Sequence, residues 1–342
     1  MKRALKIIGV SLGILLFAVV VFYFRASGGQ VDAEDYYSIK TFSDVPAKSA
    51  DTITVMTYNI GYLSGMTNNL PVDMPKELFK KNLTRAQILL RELSPDIIGF
   101  QEIDFNSSRS YFANQLDSIA NFLGAHQAYQ SVNWDKRYLP FPYWPIKYHF
   151  GEMLSGQAIH SHFALKNERT TVLQKPINAP FYYNQFYLDR LVQIVDVQID
   201  ERMLTVMNVH LEAFDTETRE AQAIVLADMY KQLADKGPVL LIGDFNSRPP
   251  WEQETDAVIQ TLLNAGNIAS AIAKAQYEMN PAAHYTFSSG EPYQMIDYIF
   301  YNPTFIQAID ARVIREAGDI SDHLPVLMTF TFKSANDSTI SE

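Results

Sequence analysis

The chain is 342 residues long, 47% hydrophobic and 13% aromatic, enough apolar material for one large domain or two ordinary ones and too much for a disordered chain. Its net charge of −10 is unevenly placed: of 28 basic residues, Lys2, Arg3, Lys6 and Arg25 are the only charges in residues 1–30, so the remaining 24 face 38 acids, a body poorly suited to holding polyanions by long-range attraction alone. The absence of cysteine excludes disulfides, cysteine-ligated zinc and thiol catalysis.

The first element is the uncharged run Ile7 to Phe24, 18 residues, which as a helix spans about 27 Å, close to a bilayer core. Three basic residues precede it and one comes after it, so the positive-inside rule predicts a cytoplasmic N-terminus and an extracytoplasmic body. A cleaved signal peptide is the competing reading, but its apolar region is usually shorter, and "FYFRASGG" offers no clear small-x-small cleavage site. The expected boundaries are an anchor over 1–25, a linker over 26–50, one domain over 51–333 and a polar tail over 334–342.

Within that domain the pattern alternates. "TITVMTYNI" (52–60) reads as a strand. Phe79, Leu83, Ala86, Leu90 and Leu93 then recur at helical spacing up to Ser94-Pro95. "DIIGF" (96–100) is a strand, and Phe112, Leu116, Ile119 and Phe122 mark a second amphipathic helix stopped by Gly124. "LTVMNV" (204–209) precedes a helix capped by Asp215, with Glu217 in its first turn, that ends at Gly237. "VLLIG" (239–243) reads as a strand buried on both faces; "MIDYIFY" (295–301) and "LPVLMTFTF" (324–332) complete the series. Such alternation predicts an α/β or α+β domain.

The residues at the strand ends carry the chemistry. The strands run into Asn59, Glu102, His210, and Asp244 with Asn246. Any one of these reads as an ordinary strand-end or turn residue, and Asp and Asn favour Asx turns, but Glu and His do not; four such endings together read as one rim of a sheet. Asp297 inside an apolar strand requires a buried partner, and a histidine is the natural one. Asp322-His323 precedes the last strand. Hard oxygen ligands such as Glu102 and Asp322 favour Mg²⁺. A His323 held by Asp297 is oriented with its positive form stabilised, and Asp244 with Asn246 is placed to align an attacking water. Metal, histidines and amides suffice for phosphoryl transfer, which rests mainly on positioning and charge.

In order and spacing, "TYNI", "QEID", "NVHLE", "IGDFNS", "YTF" with "MIDYIF", and "SDHLPV" resemble the endonuclease/exonuclease/phosphatase (DNase I-like) superfamily over about residues 51–333. The resemblance implies a four-layer sandwich of two packed mixed β-sheets flanked by helices. It also implies that Asn59 and Glu102 hold metal and phosphate, with Glu102 the principal ligand and Asp322 a further one; the metal is Mg²⁺, with Mn²⁺ the alternative. His210 is expected to contact the phosphate or protonate the leaving group, Asp244 and Asn246 to orient water and phosphate, and Asp297 to pair with His323. One motif departs: "GQAIHSHFAL" keeps Gly156, Ile159 and Ser161 but has His162 where such relatives commonly carry Arg, which predicts a weakened or pH-dependent basic contact.

The expected function is a metal-dependent phosphodiesterase outside the cytoplasmic membrane, cleaving by direct attack of water. The aromatic stretches "WDKRYLPFPYWPIKYHF" (134–150) and "FYYNQFYLDR" (181–190) read first as core-packing loops and alternatively as a surface that dips into lipid headgroups; with the anchor and the acidic body they suit a bilayer-facing task, which favours a phospholipid-like or membrane-proximal substrate. The alternative function is an extracytoplasmic nuclease, which needs a basic or aromatic groove for its strand. A silent binding module that keeps the fold is the third reading. No obligate protein partner is evident.

Overall fold

The computed structural model of the chain describes residues 1–44, 51–253 and 255–333. Residues 45–50 of the expected linker and the expected polar tail lie outside the described residues. The strands are β1 (Tyr37–Thr41), β2 (Ile53–Asn59), β3 (Ile97–Asp104), β4 (Gln127–Leu139), β5 (Gly151–Ser161), β6 (Ala164–Leu173) and β7 (Arg190–Ile199). They continue as β8 (Arg202–His210), β9 (Val239–Asp244), β10 (Ala269–Ser270), β11 (Asp297–Tyr301), β12 (Ile306–Val313) and β13 (Val326–Phe332). The helices are α1 (Lys2–Ser27), α2 (Lys76–Leu93), α3 (Gln115–Leu123), α4 (Phe181–Asn184), α5 (Thr216–Ala234), α6 (Val258–Leu263) and α7 (Lys274–Met279).

Two mixed sheets pack face to face with helices outside, in the strand orders β1-β4-β5-β3-β2-β13-β12 and β10-β11-β9-β8-β7-β6, as the resemblance implies. Each sheet contains one parallel pair, β2 with β3 and β8 with β9. Parallel neighbours end on the same side, so the last residues of these four strands share one rim. Gly243 makes the second pair possible: at φ 148° a Cβ there would lie 2.0 Å from the Val209 carbonyl oxygen, so only glycine lets β9 lie against β8 with His210 opposite Asp244.

The helix signals act as read. Asp215 accepts the Thr218 N–H, and α2 and α3 end at Ser94 and Gly124 in left-handed conformation. Phe112 is an exception, since it lies before α3 in a turn with φ 60° and is exposed. α3 buries Leu116, Ile119 and Ala120 instead.

Between the sheets the core is partly polar. Asn208 on β8 accepts from Gln101 Nε2 at 2.6 Å and donates to the Phe100 carbonyl at 3.0 Å and to Gln193 Oε1 at 3.1 Å; Gln193 donates in turn to Ser131 Oγ at 3.0 Å. All four side chains are buried, and each satisfies its neighbour in a low-dielectric layer. Asn208→Ala removes the donor to the Phe100 carbonyl and to Gln193 Oε1 and one acceptor of Gln101 Nε2, all in a buried layer, and is expected to cost about 2–4 kcal/mol. The midpoint of denaturant unfolding checks this, and an unchanged midpoint contradicts it.

The N-terminal segment departs from the linker reading. β1 pairs with β4, Tyr37 opposite Ser131 through Thr41 opposite Gln127, and Ala26 and Ser27 at the end of α1 are buried. Residues 26–44 are thus fastened to the domain rather than slack. α1 itself is longer than the apolar run and exposes its hydrophobic side chains.

Candidate active site

The rim formed by the strand ends is lined with the expected residues. β2 ends at Asn59, β8 at His210 and β9 at Asp244, and Asp297 opens β11 directly opposite Asp244. Glu102 gets there by a different route. A bulge between Phe100 and Ile103 interrupts the β3–β5 ladder, and Glu102 sits in it at φ 51°. Asn246, just past β9, is also left-handed, at φ 50°. Backbone held in this region at a cost is characteristic of functional sites.

Glu102, His210, Asp244, Asn246, Asp322 and His323 line a cavity of about 350 Å³. Behind them stand two residues that serve the others. Asp297 Oδ2 bonds His323 Nδ1 at 2.9 Å. Asn59 Nδ2 donates to Asp244 Oδ2 at 2.9 Å and approaches His323 Nε2 at 3.4 Å, while its Oδ1 accepts the Gly61 N–H at 3.1 Å. With its oxygen on the Gly61 N–H and its nitrogen on Asp244, Asn59 steadies a carboxylate of the site. Asp244 Oδ1 accepts the Asn246 N–H at 2.9 Å, and Asn246 Nδ2 donates to the Leu211 carbonyl at 3.0 Å.

Electrostatics divides the roles. Burial, reinforced by Asp297 and opposed by His323, pushes the Asp244 carboxyl up to about 7. Burial disfavours charge on His323, but Asp297 and Asp244 outweigh it and hold this imidazole protonated well above the ordinary histidine range. His210 goes the other way: burial, then Arg190 and His323, keep its ring neutral. One histidine is cationic and the other is not, with Nε2 of each 3.7 Å and 3.4 Å from Asp244 Oδ2.

On the opposite side, Asn68 Nδ2 donates to Glu102 Oε2 at 2.9 Å and lies 3.3 Å from both Asp322 oxygens. Burial first and the Asp322 charge second raise the Glu102 carboxyl above its usual range. Two carboxylates that crowd one another around a single amide fit a hard divalent cation. Asp244, Asp297 and His323 also have ligand atoms within 4.8 Å of one another, but there the ring is protonated and its Nδ1 is committed to Asp297, so Glu102 and Asp322 are the better donors.

The sequence reading missed Asn68, which sits in a loop without a pattern, and Arg190 with Glu212. Arg190 lines the cavity, buried, with Nε 3.5 Å from Glu212 Oε2 and, among the described residues, no hydrogen-bond partner for Nη1; Tyr187 donates to Glu212 at 2.7 Å. Glu212 lies inside "NVHLE" and Arg190 ends "FYYNQFYLDR", so both stand in noted motifs, and only their pairing was hidden. His162 takes no part. Its N–H donates to the Asp96 carbonyl, and Ser161 pairs with Ile97 while Ser155 pairs with Asp104, which puts His162 at the far end of the sheet from Glu102. The expected change in a phosphate contact there is not supported.

Comparison with known proteins agrees with this geometry. The model of the Endonuclease/Exonuclease/phosphatase family matches residues 56–323. A UPF0294 protein of Vibrio cholerae is 30% identical over 132 residues, which are 38% of this chain and 41% of that protein; the chain thus spans well under half of its length. Among solved structures, the endonuclease/exonuclease/phosphatase from Beutenbergia cavernae superposes with a TM-score of 0.61 at 18% identity, covering 84% of this chain and 73% of that one. The human Nocturnin catalytic domain with bound sulfate superposes with a TM-score of 0.58 at 19% identity, covering 89% and 100%. At such identities the superpositions speak for the fold alone. With the family model spanning every strand end that carries the site, the chain belongs to the Endonuclease/Exonuclease/phosphatase family, whose members are hydrolases acting on phosphoesters.

Proposed function

We propose that the chain is a divalent-cation-dependent phosphodiesterase that works at a membrane surface outside the cytoplasm, on a lipid-like or membrane-proximal phosphodiester. The observation that carries the reading is the geometry of one cavity: Asp244, held by Asn59, lies 3.7 Å from the His323 ring that Asp297 fixes, facing Glu102 and Asp322 gathered around the Asn68 amide.

Glu102 and Asp322, steadied by Asn68, would hold Mg²⁺ or Mn²⁺, which when bound supplies positive charge to the phosphate oxygens. The chain's own groups do the rest. Asp244, held by Asn59 and the Asn246 N–H, takes a proton from the water whose oxygen bonds to phosphorus. The bond from phosphorus to the leaving oxygen breaks, and that oxygen collects the proton of His323, which Asp297 has kept charged and aimed. Arg190 turns an unpartnered N–H toward the non-bridging oxygens, and neutral His210 contributes a hydrogen bond without competing for the proton. The expected role of His210 as the acid passes to His323, because only His323 is charged.

The pH profile follows from these directions. Asp244 must be ionised, so kcat/KM rises with pH along a limb centred near 7. His323 must be protonated, so the rate falls again at a pH above the ordinary histidine range. Hydrolysis of bis(p-nitrophenyl) phosphate at fixed cation measures both limbs, and Asp244→Asn is expected to remove the acid limb together with most of the rate. A profile flat across neutrality contradicts the assignment.

The same cavity is lined on one side by Trp134, Phe141, Tyr143 and Phe186, an aromatic wall that also suits stacking of nucleic acid bases, which is the second reading. Duplex binding weakens steeply with salt, whereas attack on a lipid diester held in a bilayer does not depend on releasing counterions from a polyanion.

A further inference from the structure

We infer that the aromatic wall of the catalytic cavity is a bilayer-docking surface, set at a fixed height by α1, so that substrate enters the site from the headgroup layer of a lipid membrane. This rests on the proposed phosphodiesterase and names where its substrate comes from.

The first observation is continuity between helix and cavity. The last turns of α1 pack on the wall: the Tyr23 ring lies 5.6 Å from Phe186 and 6.5 Å from Phe181, and Phe22 lies 5.8 Å from Tyr138. Phe186 lines the cavity, and its carbonyl accepts the Trp134 indole N–H at 2.8 Å. A helix long and apolar enough to cross a bilayer therefore ends against the cavity wall itself.

The second is rigidity. Asp135, buried in β4, accepts the N–H of Gln30 at 2.7 Å and of Val31 at 3.2 Å, and the Tyr36 hydroxyl at 3.1 Å. The Gly28 carbonyl accepts the Arg137 N–H at 2.8 Å. A Cβ on Gly29 would come within 2.6 Å of an Asp135 oxygen, so the chain leaves the helix in a close-fitting bend. With this clamp the domain cannot swing away, and the wall stays beside the membrane exit.

The third is what the wall and the segments beside it show to solvent. Trp144 is 75% exposed and Phe181 78% exposed, and Tyr143 and Phe214, which line the cavity, are also exposed. Lys147, exposed, projects beside the Tyr148 ring at 4.4 Å. Exposed Trp, Tyr and Phe with a lysine among them match the headgroup boundary, where amphipathic rings and a snorkelling ammonium both find their solvent, and large exposed apolar patches mark an interaction site.

The experiment uses the full chain in nanodiscs of phosphatidylcholine and phosphatidylglycerol, with bromine carried high on the acyl chains. Tryptophan fluorescence is expected to be quenched, and Trp144→Phe to remove much of that quenching. In parallel, Trp144→Glu with Phe181→Glu is expected to lower hydrolysis of the nanodisc phospholipid at least tenfold, the loss of about 1.4 kcal/mol or more of interfacial burial, while leaving bis(p-nitrophenyl) phosphate hydrolysis unchanged. No quenching, or quenching untouched by Trp144→Phe, overturns the docking surface. Equal loss on both substrates, or loss on neither, overturns entry from the bilayer. Quenching through Trp144 with neither substrate cleaved supports the docking and counts against the phosphodiesterase.

Discussion

His323→Ala is expected to lower kcat for a phosphodiester by at least about 10³-fold with little change in KM. In the structure this ring is a cationic group beside Asp244, and it is positive because Asp297 sits 2.9 Å from Nδ1. Removing it takes away both the proton for the leaving oxygen and the charge that restrains Asp244 from rising further. The same change leaves Asp297 buried without its partner, so the variant should also melt several degrees lower. Asp297→Asn separates the two effects. It keeps an oxygen to hold the ring but removes the charge, and is expected to cost about 10²-fold in kcat with a smaller loss of stability. Initial rates and thermal melts on the three proteins check this. Activity within threefold of the parent in a folded His323→Ala protein would exclude His323 from the chemistry.

The second large effect is expected at Glu102. Without a cation its carboxyl is held above the usual range by burial and by Asp322, so above the ordinary carboxylate range its charge opposes folding, and the opposition is relieved as pH falls. Glu102→Gln removes that charge while keeping the side-chain shape at the φ 51° bulge. The cation-free protein should therefore be at least as stable as the parent, while cation affinity falls by about 10²-fold or more and the rise in Tm on adding Mg²⁺ or Mn²⁺ disappears. Hydrolysis at moderate cation should fall in step. Calorimetric titration with thermal melts, each with and without cation, tests the pair of effects. A Glu102→Gln protein that still gains the parent's full Tm on cation addition would place the cation elsewhere.

Much of this site was legible because the strands that carry it are apolar and end abruptly. In "VLLIGDFN" the apolar run stops at Asp244, and the same abrupt ending exposes Asn59 and His210. The residues between 127 and 199 were harder to read. β4, β5 and β7 carry Ser131, Gln157 and Gln193, all buried and bonded across the sheets, and polar residues that serve such a network look in sequence like a solvated face. β1 was hidden for another reason: "YSIKT" is a short, half-exposed edge strand with no apolar face to mark it. Asn68 and Arg190 were invisible because their function depends on a partner distant in sequence: Asp322 for one, and Glu212 beyond the next strand for the other. The role of Asn59 likewise depends on which side chains face the cavity and which stand behind, and strand spacing does not encode that.

The most direct test of the central claim places the full chain in phospholipid nanodiscs with plasmid DNA and Mg²⁺ in one tube, with an EDTA control. Release of a phosphorylated headgroup that needs the cation and Asp244, with the plasmid intact, is the predicted result. Nicked plasmid with intact lipid would contradict the membrane substrate, and no cleavage of either would contradict the roles assigned to Asp244, His323 and Glu102.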